Sequence, residues 1–291
     1  MKVLITGSNG QLGSEIKELV SEYKNMECIF RDLPELDICD TDALNTFIID
    51  QHINAVINCA GYTAVDKAEK EKPIAQKVNS EGVLNLVNAL KKVDGKLIHI
   101  STDYVFEGNH SQPYKESDPV SPISVYGETK RAGELVVFNS SIDAIVIRTS
   151  WLYSGYGNNF VKTMLRLGNE KISIQVVSDQ KGTPTFAKDL AETCLDILSD
   201  ASSIKISKKG SLYHYSNEGV SSWYDFATAI MEIGNIDCKV IPIETKDYPT
   251  QARRPMYSVL DKSKIKSDFK VTIPHWRNSL TNCIKKINHN S

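Results

Sequence analysis

The chain has 291 residues, 41% apolar and 24% charged, with a formal net charge of −2. That is material for one large core or two smaller ones, and so balanced a charge points to neither nucleic acid nor a membrane surface as partner. No apolar run approaches the ~20 residues that cross a bilayer. The opening MKVLITGSNG holds an apolar run over 3–6 only, against the roughly 7–15 residues of a signal-peptide core. A buried first strand and a cytoplasmic protein are expected. The six cysteines stand singly, without a CxxC pair, and the six histidines form no HxxxH. Reduced thiols and no zinc-type site follow.

Two periods then alternate. Residues 3–6 read as a strand, and 11–22 as a helix with Leu12, Ile16, Leu19 and Val20 at helical spacing. Residues 27–31 are strand-like, and 42–51 form a helix with Leu44, Phe47 and Ile48 inward. Strand 55–59, helix 81–92, strand 97–101, helix 126–138 and strand 144–149 continue the rhythm. Near-continuous apolar strands alternating with amphipathic helices predict an α/β fold, a Rossmann-type doubly wound parallel sheet over residues 1–150. Beyond Trp151 the rhythm weakens. Helices near 160–167, 186–198 and 222–233, a strand at 171–177, an exposed polar connection at 199–210 and a loop-rich basic stretch at 241–255 are expected. Residues 151–291 are read mainly as a smaller substrate-binding region that covers the ligand edge of the sheet and returns some segments to it.

ITGSNGQLG follows the first strand and opens the first helix, with Gly7, Gly10 and Gly13 spaced GxxGxxG. A glycine turn at a helix N-terminus brings backbone amides and the helix dipole to a pyrophosphate. The second strand ends in Arg31-Asp32. An acid there binds the ribose of NAD, whereas an arginine accepts the 2′-phosphate of NADP; with both present, NADPH and NADH stay open.

PISVYGETKRAGE places Tyr126 and Lys130 four apart on one helical face. Alone, YxxxK is common. Here it follows a nucleotide-binding half-sheet and the strand-end HISTDYVF. An ammonium beside a phenol is expected to lower its pKa toward neutrality, making Tyr126 a proton donor to a carbonyl that receives hydride. The Thr102 hydroxyl is placed to hold the same oxygen.

NCAGYTAVDKAE, STDYVFEGN, PISVYGETKRAGE, RTSWLYSGYGNNFVKTMLRL, DQKGTPT and ARRP occur in this order. Together they resemble the dTDP-4-dehydrorhamnose reductase family of extended short-chain dehydrogenase/reductases, from the first strand to about Leu280. The resemblance implies NAD(P)H-dependent reduction of a dTDP-linked 4-keto sugar. It assigns Gly10, Gln11 and Leu12 to the cofactor diphosphate, Asp32 to the ribose, Asp37 and Ile38 to the adenine side, and Gly61, Tyr62 and Thr63 to the cofactor wall. Thr102, Asp103 and the adjoining Tyr104 fall at the sugar nucleotide, Tyr126 and Lys130 at the reaction centre, and Trp151 against the sugar. Arg253 and Arg254 are candidate diphosphate contacts, since guanidinium binds phosphate as a fork. Some members of the family dimerise around Mg²⁺ held by acidic side chains. Glu15 is the candidate ligand here, against the plainer expectation of a solvated helix face, and the ending Asn288-His289-Asn290-Ser291 offers no side-chain carboxylate. Two alternatives stay open. One is a nucleotide-sugar epimerase or dehydratase, although Asp103-Tyr104 lacks the second carboxylate that elimination uses. The other is a non-catalytic nucleotide-binding subunit resembling the beta subunit of methionine adenosyltransferase, which retention of Thr102, Tyr126 and Lys130 argues against.

Overall fold

The computed structural model describes residues 1–199 and 210–289; most of the polar connection expected at 199–210 lies outside them, as do Asn290 and Ser291. In chain order come β1 (Lys2–Thr6), α1 (Gln11–Leu19), β2 (Glu27–Arg31), α2 (Thr41–Asp50) and β3 (Ala55–Asn58). Two short helices, α3 (Val65–Ala68) and α4 (Lys72–Gln76), lead through a π-helical turn (Lys77–Glu81) into α5 (Gly82–Lys91). β4 (Lys96–Thr102), α6 (Val125–Phe138), β5 (Asp143–Thr149) and β6 (Leu152–Tyr153) follow. Then come α7 (Phe160–Glu170), β7 (Ser173–Val177), β8 (Lys181–Gly182), β9 (Thr185–Phe186), α8 (Ala187–Ser199) and β10 (Ser211–His214). β11 (Ser221–Ser222), α9 (Trp223–Gly234), β12 (Lys239–Ile243), α10 (Ser263–Phe269) and α11 (Trp276–His289) complete the described chain.

The main sheet runs β2-β1-β3-β4-β5-β10, with every pairing parallel. Strand alternation divides the side chains between two cores. Val3, Ile5 and Ile57 share one core with Leu12 and Ile16 of α1 and Leu190 and Leu195 of α8. Leu4 and Val56 share the other with Leu44 and Ile48 of α2 and Leu86 of α5. Both faces are therefore covered, as the apolar runs require.

The segment after β5 builds a separate core from α7, β7, α9 and α11, centred on Tyr153, Met164, Phe226, Ile230 and Leu280. It also feeds the first half: α8 packs on the α1 side of the sheet, β10 adds its sixth strand beside β5, and Ile265 of α10 joins the same core. The sequence pattern does not single out α3, α4, β10, α10 or α11. β10 is only four residues, and α3 and α4 are too short to show a helical period.

One buried ion pair ties the helix of Tyr126 to the sheet. Glu134 of α6 is fully buried and accepts two bonds from Arg148 of β5, each 2.7 Å. Ser101 (2.7 Å) and Arg131 (2.8 Å) donate to the same carboxylate. Burial opposes its ionisation, but these donors outweigh burial and hold its pKa below the usual carboxylate range.

Candidate active site

β2 lies on one side of β1 and β3 on the other, so the strand order reverses at β1. A cleft of about 850 Å³ opens there, at the carboxyl ends of the strands. Gly7 leaves β1 with φ +61°, and a Cβ on it would lie 2.6 Å from the Ala60 amide nitrogen. A Cβ on Gly13 would lie 2.6 Å from the Gly7 carbonyl oxygen; Gly13 therefore serves helix-to-turn packing and does not line the cleft. Helix α1 has Gly10 at its N-cap, with no side-chain cap and no acid in its first turn. Gly7, Gly10, Gln11 and Leu12 line the cleft there. Close backbone approach plus an uncapped helix N-terminus fits a pyrophosphate.

Asp32 also lines the cleft and braces the turn, accepting the Asn9 amide (2.8 Å) and the Leu33 amide (2.8 Å) on its two oxygens. Arg31 points elsewhere. It donates to the Phe30 carbonyl (2.8 Å) and lies 5.2 Å over the Phe47 ring. Asp37 accepts the Cys39 amide (2.8 Å) and, with Ile38, lines the same cleft. Gly61, Tyr62 and Thr63 line it after β3. Asn79, which the sequence pattern leaves outside the expected helix 81–92, holds that segment. It accepts the Tyr62 amide (2.8 Å) and donates to the Tyr62 carbonyl (3.0 Å) and to Thr129 of α6 (3.1 Å). Asn79 sits in the π-helical turn, a feature that often marks functional sites.

Thr102 ends β4, and Tyr126 lies in the first turn of α6, whose N-cap Ser124 accepts the Gly127 amide at 3.2 Å. Glu69 accepts the Val125 amide (2.9 Å), so the turn before α4 also fixes the start of this helix. The Thr102 hydroxyl donates to Asp103 (3.1 Å) and also hydrogen-bonds the Tyr126 phenol. Tyr104 meets the Tyr126 ring edge-on at 5.5 Å. Burial pushes the Asp103 carboxyl up to about 6, against bonds from Ser258 and Thr102.

The tyrosine and lysine share a face as their spacing predicts, but their electrostatics differ from expectation. Burial pushes the Tyr126 phenol up to about 12; the Thr102 bond opposes this and the Asp103 charge adds to it. Lys130 does not lower it, because its ammonium is directed to the Ile100 carbonyl at 2.6 Å. Burial in turn brings the Lys130 ammonium down to about 8, against the pull of Glu134. Its charge is thus present below that pH and lost above it. kcat/KM of the free enzyme is expected to fall as pH rises through about 8, well below the ~10.4 of a free lysine. A pH–rate profile that stays flat far past that point would separate Lys130 from the chemistry.

At the rim, Arg254 gives both terminal nitrogens to Asp66 of α3 (3.1 and 2.6 Å), and Asp66 also accepts the Ala252 amide (3.0 Å). Arg253 is exposed. Neither arginine lines the cleft; Trp151 does, together with Trp223, which sequence reasoning missed.

Glu15 is not on a solvated helix face. It is fully buried, accepting the Ser154 hydroxyl (2.6 Å) and the Lys286 ammonium (2.7 Å). An ammonium already neutralises it, so this donor set does not fit Mg²⁺. Among the described residues no three His, Cys, Asp or Glu side chains gather for a metal ion, and no helix is long and apolar enough to cross a membrane.

A doubly wound parallel sheet with a glycine turn at its switch point and a Thr–Tyr–Lys group beside it defines a dinucleotide-binding oxidoreductase of the short-chain type. Comparison with known proteins narrows the class. The family model described as RmlD substrate binding domain matches residues 1–289, and the chain belongs to that family. It is 40% identical over 288 residues to a dTDP-4-dehydrorhamnose reductase of Aggregatibacter actinomycetemcomitans, covering 97% of both proteins. The crystal structure of a dTDP-4-dehydrorhamnose reductase from Clostridium acetobutylicum matches with TM-score 0.92 and 42% identity, over 99% of this chain and 100% of that one. That of the Bacillus anthracis reductase in complex with NADP matches with TM-score 0.91 and 36% identity, over 98% and 99%.

Proposed function

We propose that the chain reduces the C4 ketone of dTDP-4-dehydro-β-L-rhamnose to give dTDP-β-L-rhamnose, with NADPH as reductant and Tyr126 as proton donor. The observation that carries this reading is one cleft lined by both the uncapped glycine turn and the Thr102–Tyr126–Lys130 group. Bound NADPH supplies the hydride. Tyr126, whose phenol stays protonated at neutral pH, gives its proton to the carbonyl oxygen. Thr102 holds that oxygen through its hydroxyl. Lys130, which lines the same cleft with its ammonium on the Ile100 carbonyl, would hold the nicotinamide ribose. Hydride and proton together convert ketone to alcohol, and no second carboxylate is required. Deuteride from labelled NADPH is expected at C4 of the product, one equivalent per turnover. Conversion of the sugar nucleotide with the label left on the cofactor would mean internal redox, as in an epimerase or dehydratase.

NADPH is preferred on this reading because Arg31 stands at the end of β2 beside Asp32, where an arginine accepts a 2′-phosphate. Arg31→Ala is expected to weaken NADPH binding far more than NADH binding in parallel titrations. Equal losses would move the preference to another residue.

A further inference from the structure

Trp151 and Trp223 stack with ring centroids 3.6 Å apart and planes 10° apart. Both line the cleft. Trp151 has φ +47°, a left-handed conformation that bulky side chains avoid and that persists only where the surroundings over-determine it. They do so here. The Trp151 carbonyl accepts the Thr185 amide (3.2 Å), and the neighbouring Ser150 hydroxyl donates to the Thr183 carbonyl (2.7 Å). A Cβ on Gly182 would lie 2.7 Å from the Trp151 indole, so only glycine leaves room for that ring. Gly182 pairs with Ser221 across β8 and β11, and Trp223 follows β11 directly. One short ribbon therefore brings both the opening and the stacking partner to Trp151. Trp223 is itself fixed, packed on Phe160 at 4.7 Å and following Ser222, which forms a capping box with Asp225.

We propose that Trp223 is a positioning residue. It holds the Trp151 indole in one orientation at the cleft wall and so sets affinity for the sugar nucleotide, not for NADPH. This rests on the reductase reading above for the identity of the ligand. A preformed aromatic wall suits the C–H face of a deoxyhexose, and a fixed ring loses no rotamer freedom on binding. Stacked aromatic pairs carry enough coupling for an effect of about tenfold.

Trp223→Ala is expected to raise KM for dTDP-4-dehydrorhamnose about tenfold while kcat and KM for NADPH stay near wild type. Trp223→Phe, which keeps a ring against Trp151, recovers most of the loss. Gly182→Ala retains both indoles but drives a methyl into Trp151, and it repeats the KM increase even if Trp223→Ala fails to fold. The exciton-coupled dichroism of the stacked indoles should vanish in Trp223→Ala and weaken in Gly182→Ala. Sugar-nucleotide affinity unchanged in the folded variants overturns the proposal, as does an equal loss of affinity for NADPH. Quenching of tryptophan fluorescence by dTDP-L-rhamnose needs no turnover. It reads the indole pair separately from a wild-type protein that fails to oxidise NADPH, a result that would count against the reductase reading alone.

Discussion

Tyr126→Phe is expected to bind NADPH normally and to turn over about 10²–10⁴-fold more slowly, the usual contribution of a general acid. The substitution removes one hydroxyl and keeps the ring, so the edge-on contact with Tyr104 survives. The Thr102 hydroxyl loses its phenol partner but keeps Asp103 at 3.1 Å. Little else changes, and a loss of rate reports on the proton. Two readouts separate the cases: single-turnover oxidation of NADPH and a cofactor titration. A variant with near wild-type turnover at neutral pH would remove Tyr126 from the chemistry. A variant that also loses the cofactor would make the phenol a binding group.

Glu134→Ala is expected to be strongly destabilising. Removing one partner of a buried pair leaves the other charge uncompensated, at about 3–5 kcal/mol. Arg148 is 1% exposed and already has one nitrogen, Nη1, without a partner among the described residues; without Glu134 the rest of its fork is left near the Phe106 ring and the buried His214. A fall in Tm on the order of 10 °C follows from that loss. The double variant Glu134→Leu, Arg148→Met replaces both charges with apolar groups and should recover much of the stability. If the single variant melts like wild type, α6 is held by its apolar face and the ion pair is incidental.

The sheet was legible because its strands are short apolar runs between amphipathic helices, and β2 matches its expected span residue for residue. The glycine turn and the Tyr126–Lys130 spacing were legible because each is local: one fits a turn, the other a helical period. What stayed hidden depends on distant partners. Asn79 looks like any polar connecting residue until it meets Tyr62 and Thr129. Arg254 reads as a free phosphate ligand until Asp66, far away in sequence, takes its fork. The same holds for charge. Spacing alone brings Lys130 near Tyr126, but burial and the Ile100 carbonyl decide where its ammonium points and where both groups titrate. Trp223 carries no local mark at all, since its stacking partner lies across a ribbon.

The place of β10 bears on how the chain is born. Synthesis delivers β5 long before Ser211–His214, and until then the β5 edge has no neighbour on that side. α8 is also late, so until it is made the face of the sheet around Val3, Ile5 and Ile147 has α1 against it but lacks Leu190, Leu195 and the rest of α8. An unpaired edge beside uncovered apolar surface is a template for association with other chains. The dinucleotide-binding half therefore cannot mature on the ribosome ahead of the segment that follows it. A fragment ending at residue 150 should be recovered as aggregate, and the two halves must reach their native state together.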